Sequence, residues 1–424
     1  MNNQNQNIPK LRFSDFIGEW EKKRLGDICD ILMGQSPNGD SYNTEGIGVP
    51  LINGPVEFTE KYPIKIKWTS NPTKYCQDGD VLFCVRGSTT GRMNIANDKY
   101  CIGRGVAAIR ANSKSTSPFV ELILINNLVK ILSYTTGSTF QNIDSKSLKE
   151  YQFNIPTLPE QQKIASFFTT IDQKISQLKQ KLTLLKQYKK GVMQKIFSQE
   201  PEERGSRTPS KNNNACEQIR FKDDNGYEFP KWETKKLGEL DIYISDGNYG
   251  ELYPRADQMV SQGVPFIRAN NIKNLKLSMD DMKFIDSEHH KILTSGHLKT
   301  GDILVTTRGD IGMLAYVDEE FNNANINAQI CLLRVNSSLN AEYLLNFLSS
   351  RWGIVQFKSL QTGSALKQLP KSNLSKILIN LPCIKEQTKI ADFLSGINDK
   401  INHTHKQIEK AETWKKGLLQ QMFV

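Results

Sequence analysis

The sequence predicts an α+β protein: two mixed α/β domains, each followed by a long helix, written one after the other in a single chain. Three observations predict it. The stretch "QYKKGVMQKIF" at 187–197 returns as "TWKKGLLQQMF" at 413–423. A shift of 226 residues lays 156–197 on 382–423 with 15 of 42 positions identical, the mark of an internal repeat. Both stretches carry apolar residues at alternating four- and three-residue steps, the heptad spacing of helices that pack on each other.

The first domain, 1–155, reads as short strands and turns. Its "GDVLFCVRG" (79–87) matches "GDILVTTRG" (301–309) of the second domain, and "GVPLI" (48–52) matches "GVPFI" (263–267). The first helix occupies 156–198. After Pro156 and Pro159 its stripe runs Ile164, Phe168, Ile171, Ile175, Leu178, Leu182 and Leu185, is broken by Lys189, and resumes at Val192 and Ile196. At 1.5 Å per residue a helix over 160–197 is about 57 Å long. Residues 199–218, polar and without apolar periodicity, read as a linker. The second domain spans 219–381. The second helix, 382–424, carries Ile390, Leu394, Ile397, Ile401, Ile408, Ala411, Leu418 and Met422, with breaks at Thr404 and Lys415. Lys415 stands where Lys189 stands, so the interruption is itself repeated.

Composition narrows the function. The net charge of +10 over 424 residues suits a polyanionic partner, nucleic acid first. No apolar run approaches the roughly 20 residues of a membrane span, and "MNNQNQNIPK" has no signal-peptide core and reads as a frayed polar tail; a cytoplasmic location is expected. Seven scattered cysteines without C-x-x-C argue against a disulfide framework and a zinc site, and read as buried thiols. The five histidines read as surface residues, and no metal site is expected.

Candidate DNA-contacting residues lie in matched loops. Arg86 and Arg308 each precede a glycine at a strand end, which suits a tight turn and an arginine offered to phosphate or guanine. An ordinary turn with an exposed arginine is the alternative. Thr89 and Arg92 follow the first of these turns. "TTGSTFQNIDSKSL" (135–148) brings Ser138, Gln141, Asn142 and Lys146; its match "QTGSALKQLPKSNL" (361–374) brings Ser364, Lys367 and Gln368. Arg268, Asn270 and Asn271 crowd "PFIRANNIKNLKL" (265–277). Arginine and asparagine can grip base edges with two hydrogen bonds, and asparagines equally form turns.

The entry "PTLPEQQKIASF" (156–167) and exit "KKGVMQKIF" (189–197), with their second copies "PCIKEQTKIADF" and "KKGLLQQMF", resemble the specificity subunit of type I restriction–modification systems over nearly the whole chain. The second entry departs from the pattern but keeps Glu386, Gln387, Lys389, Ile390 and Ala391. The resemblance implies two target recognition domains joined by two long antiparallel coiled-coil helices with pseudo-twofold symmetry. It implies that each domain reads one half of a bipartite, asymmetric site in double-stranded DNA. It further implies two modification subunits docked on the helices, two motor/nuclease subunits in the full complex, and no catalytic residue in this chain. S-adenosylmethionine, ATP and Mg belong, on that view, to the partners, and this chain binds no cofactor.

The rival readings are a self-contained DNA methyltransferase and a coiled-coil scaffold. The first would need a target-base motif and a glycine-rich cofactor turn; the nearest match to the former is "NPTK" at 71–74. The second leaves the two large variable domains and the repeated Arg-Gly strand ends without a role.

Overall fold

The structure, a computed structural model, describes residues 7–133, 142–198, 219–364 and 366–424. The chain divides into two compact units. One holds the residues up to 180 together with 405–424; the other holds 181–404. The boundaries between these units fall inside the two long stretches of heptad spacing. The expected linker, 199–218, lies outside the described residues.

In the first unit an antiparallel sheet runs in the order Cys29–Met33, Val106–Ala111, Val81–Cys84, Met93–Ile95. The second unit repeats that order with Tyr243–Asp246, Ile330–Arg334, Ile303–Thr306 and Leu314–Tyr316. Each sheet also borders a parallel pair: Val49–Ile52 with Tyr100–Ile102, and Val264–Ile267 with Asn325–Ile326. The central strands are apolar on both faces, and Val81–Cys84 and Ile303–Thr306 are wholly buried, as expected of strands covered on both sides.

The long helices span Leu158–Ile196 and Ile384–Met422. The apolar stripe is the buried stripe: Ile164, Phe168, Ile171 and Ile175 in the first, Ile390, Leu394, Ile397, Ile408 and Leu418 in the second. Leu178, Leu182, Leu185 and Ile401 are half-buried. Thr404, a break in the heptads, is fully buried and donates its hydroxyl to the Lys400 carbonyl at 2.8 Å, so burial costs it no unpaired group. Within the first unit the helices run antiparallel. Glu412 lies 3.0 Å from Lys179, Lys415 2.5 Å from Asp172, and the Phe423 ring 6.4 Å from that of Phe168.

Each helix ends in a matched core. Phe423 stacks on Phe119 at 5.9 Å, and Phe197 meets Tyr343 at 5.9 Å and Phe347 at 5.5 Å. The repeated closing phenylalanine is thus the plug of a hydrophobic pocket, which explains its place in the signature.

The helix entries are also explained. Glu160 is buried and accepts from Arg12 Nε and Nη2, both at 2.7 Å, and from Trp20 Nε1 at 3.4 Å. Glu386, equally buried, accepts from Arg220 Nε at 2.8 Å, Arg220 Nη2 at 3.0 Å and Trp232 Nε1 at 2.9 Å. Gln161 and Gln387 turn back to donate to the carbonyls of Pro156 and Pro382, at 3.0 and 2.8 Å. The pairs Lys163–Asp15 and Lys389–Asp224 and the edge-on rings Phe13–Phe167 and Phe221–Phe393 complete the match. A strap written Arg-Phe…Trp, at 12–20 and again at 220–232, is thereby a third repeated device. Sequence inspection passed over it because the spacing between Phe and Trp differs.

From Asn7 on, the chain is tied down where a frayed tail was expected; residues 1–6 lie outside the described residues. The carbonyl of Asn7 accepts from Trp20 N at 2.7 Å, and Leu11 N donates to the Gln421 carbonyl at 2.9 Å. The histidines are not all superficial either. His290 Nδ1 meets Oδ1 of the buried Asn325, and the His290 and His297 rings stand 4.7 Å apart. Cys29, Cys76, Cys84, Cys101 and Cys331 are buried. Burial pushes the thiols of Cys29, Cys76 and Cys84 up to about 12, leaving them protonated and poor nucleophiles. Among the described residues no group of three or more His, Cys, Asp or Glu is arranged to hold a metal, and no helix is long and apolar enough to cross a membrane.

Candidate nucleic-acid interface

Sheet order brings distant loops to one end of each domain. In the first unit the turns after Cys29–Met33 and Val81–Cys84 and the turn before Val106–Ala111 share an edge. Backbone hydrogen bonds stitch them together: Gly34 N to the Val106 carbonyl at 2.9 Å, Gln35 N to Ile102 at 3.0 Å, Val85 N to Gly105 at 2.9 Å and Ile143 N to Val85 at 3.0 Å. The second unit repeats the stitches: Gly247 N to Ile330 at 3.4 Å, Thr307 N to Gln329 at 2.8 Å and Leu369 N to Thr307 at 2.9 Å. Gly34 and Gly247 have no room for a Cβ against the neighbouring carbonyls, so each loop can close only around glycine.

The Arg-Gly turns sit in these clusters. Gly87 and Gly309 adopt φ of +87° and +71°, the left-handed region that favours glycine. Nothing would obstruct a Cβ at either, so φ alone requires the glycine and no close approach does. Arg86 forms an isolated bridge with Asn142, and Arg308 the same bridge with Gln368. Both arginine side chains are exposed, and among the described residues neither has a carboxylate partner. Other arginines behave differently. Arg110 grips Asp80 through Nε and Nη2 at 2.8 and 2.7 Å, and Arg334 grips Asp302 at 2.7 Å through both. The hydrogen bonds to Asp80 and Asp302 push both guanidinium pKa values up. Paired arginines hold the sheets, whereas Arg86 and Arg308 keep their guanidinium groups exposed.

The other candidates fall at varied distances from this edge. Thr89 is half-buried, its carbonyl taken by Arg92 N at 3.1 Å. Arg92 is exposed but leans toward the Phe58 carbonyl at 3.4 Å. Lys146 is exposed on the short helix Ser145–Glu150 that follows Asn142. Ser138 and Gln141 lie outside the described residues. Ser364, Lys367 and Gln368 are exposed, and Thr362 and Gln368 exchange backbone hydrogen bonds at 2.8 and 2.9 Å. Asn271 is fully buried, accepting from Arg268 N at 3.0 Å and donating to Ser278 and Asp280 carbonyls at 3.2 and 3.0 Å. Its amide is consumed in holding a turn. Arg268 is tied to Asp281 at 2.9 Å, whose carboxyl this hydrogen bond holds below its usual range, and Asn270 leans on the same carboxylate at 3.4 Å.

Sequence reasoning missed residues that the clusters contain. In the first these are Gln35, Ser36 and Arg104, whose backbone N–H donates to Ser36 Oγ at 3.1 Å. In the second they are Tyr249, Asn327 and Gln329. Tyr249 donates its hydroxyl to the Ala328 carbonyl at 2.9 Å and carries Arg308 over its ring at 5.4 Å. The signal was available: "GRGVAAIR" (103–110) lies over "NAQICLLR" (327–334) at a shift of 224, only two residues from the shift of the neighbouring strand.

A family model described as the type I restriction modification DNA specificity domain matches residues 17–187 and again 230–413. The putative type I restriction enzyme MjaX specificity subunit of Methanocaldococcus jannaschii is 32 % identical over 198 residues, 46 % of either chain, so this chain spans about half of that relative. The MjaVIII specificity subunit of the same organism is 23 % identical over 95 % of this chain and 91 % of its own. Among solved structures, the type I restriction–modification S subunit from M. genitalium superposes with a TM-score of 0.61 at 16 % identity, covering 98 % of this chain and 99 % of that one.

Proposed function

The chain belongs to the family of type I restriction modification DNA specificity domains, and on that premise we propose that it is the DNA-reading subunit of a type I restriction–modification complex. It has no chemistry of its own. Each unit reads one half of a bipartite target through its loop cluster: Arg86, Arg104, Gln35 and Asn142 in the first, Arg308, Tyr249, Gln329 and Gln368 in the second. The clusters share their stitching and differ in their side chains, so the two half-sites differ and the target is asymmetric. The observation that carries this reading is the repeated arginine on a glycine turn, exposed and without a carboxylate partner among the described residues, where the matched sheet arginines are both paired.

Two modification subunits that hold S-adenosylmethionine dock along the long helices and methylate adenine in each half-site. Two motor/nuclease subunits using ATP and Mg complete the assembly. The phosphate contacts of both units make binding steeply salt-dependent.

Mapping methylated adenines genome-wide in cells with and without this chain tests the proposal. It expects one two-part motif that vanishes with the chain, and Arg86→Ala to relax one half of that motif alone. Methyl transfer by the purified chain without any partner would overturn it.

A further inference from the structure

Tyr249 has no packing reason to stand where it does. It lies in a polar loop with 47 % of its surface exposed, yet both its ends are engaged. Its hydroxyl is tied to the Ala328 carbonyl at 2.9 Å and its ring carries the Arg308 guanidinium at 5.4 Å. Burial around the hydroxyl pushes its pKa up, which keeps it a neutral donor to that carbonyl. The backbone of Arg308 is fixed as well, by the bridge to Gln368 and by Gly309 at φ +71°. A guanidinium held over a ring has fewer directions in which its N–H fork can point. A phosphate, which accepts hydrogen bonds from many directions, gains little from such bracing. A guanine edge, with O6 and N7 side by side in one plane, gains a great deal.

Among the described residues the first cluster shows no such brace. Gly34 and Gly247 occupy the same place, so Ser36 corresponds to Tyr249. Its Oγ accepts from Arg104 N at 3.1 Å.

We propose that Tyr249 is a positioning residue that sets Arg308 to read one guanine in the second half-site by a two-hydrogen-bond contact. This rests on the DNA-reading function proposed above. Among the described residues no aromatic ring braces Arg86 in the same way.

The test uses the full chain purified with its modification subunit and a competition panel of duplexes. Either the second or the first half-site is varied one base pair at a time. Arg308→Lys keeps the charge, loses the fork and sits on the surface, so it is expected to fold. It should reduce discrimination at one position of the second half-site roughly tenfold and leave the first half-site's preferences unaltered. Tyr249→Ala should relax the same position, and Tyr249→Phe, which keeps the ring, should restore most of the preference. Uniform weakening across all second-half-site sequences would overturn the proposal in favour of a phosphate contact, as would relaxation at different positions by the Arg308 and Tyr249 variants. Failure of the underlying DNA-reading role would look different: the unsubstituted complex would show no preference at either half-site.

Discussion

Lys415 and Lys189 hold the same place in the repeated aromatic-Lys-Lys-Gly signature, and the molecule treats them differently. In the first unit Lys415 pairs with Asp172 at 2.5 Å. Glu121 is close enough that Lys415 counters part of the upward push burial gives its carboxyl. In the second unit Lys189 is half-buried and, among the described residues, has no hydrogen bond or ion pair; burial draws its pKa below the ordinary lysine value. The cause lies in the residues opposite. The shift that aligns the helices places Asn398 where the first helix has Asp172. Phe119 and Tyr343 play the same part against Phe423 and Phe197, and two residues beyond them stand Glu121 and Leu345. Two carboxylates in one unit are thus replaced by an amide and an alkyl group in the other. The repeat preserves backbone, apolar packing and the buried ion pairs of the helix entries and sheets, and lets the charges at the helix ends drift apart.

The largest effect should come from what the two units share. Glu160→Gln and Glu386→Gln each leave an arginine and an indole N–H with a weakened, neutral acceptor at a buried site. Each should destabilise its own unit by about 2–3 kcal/mol, read by denaturant unfolding followed through Trp20 or Trp232 fluorescence. Equal losses would confirm that the straps are equivalent; an intact unit in either variant would break the equivalence. Next, Asp172→Asn makes the first unit resemble the second and should cost about 0.5–1 kcal/mol, the low range appropriate to a pair with one partner substantially exposed. Asn398→Asp should do the reverse in the second unit, raising its melting temperature. If it instead lowers stability, Lys189 does not face Asn398 as Lys415 faces Asp172.

The smallest effect is a slope in pH. The folded-state pKa of Lys189 lies below its unfolded value. Between the two the unfolded chain still holds a proton that the folded one has released. Stability contributed by this residue therefore rises as pH climbs through that window toward about 10.4 and is lowest below it. The difference in stability between the unsubstituted protein and Lys189→Met should narrow over this alkaline range.

Much of the architecture was legible because helix packing is periodic and local. The heptad residues from Ile164 to Ile175 and from Ile390 to Ile397 are buried. Buried strands betrayed themselves as short apolar runs closed by Arg-Gly. The interface was legible only in part. Arg86 and Arg308 could be singled out as repeated strand ends, whereas nothing local distinguishes them from Arg110 and Arg334 as unpaired. Asn271, attractive as a base-reading amide, is buried in its own turn. Tyr249 had no repeat to announce it, since its counterpart is Ser36.

By itself the sequence determined the duplication, the two long helices and their apolar faces, because such patterns arise from residues a few positions apart. Only the tertiary structure decided which arginines are consumed by carboxylates, which loops meet at the sheet edge, and that each helix end plugs a core formed with the start of the other helix. Those outcomes depend on strand order and on contacts between residues as distant as Arg12 and Glu160 or Phe119 and Phe423. No local periodicity encodes them, since the free energy that selects them comes from burying groups that the chain holds far apart until it has folded.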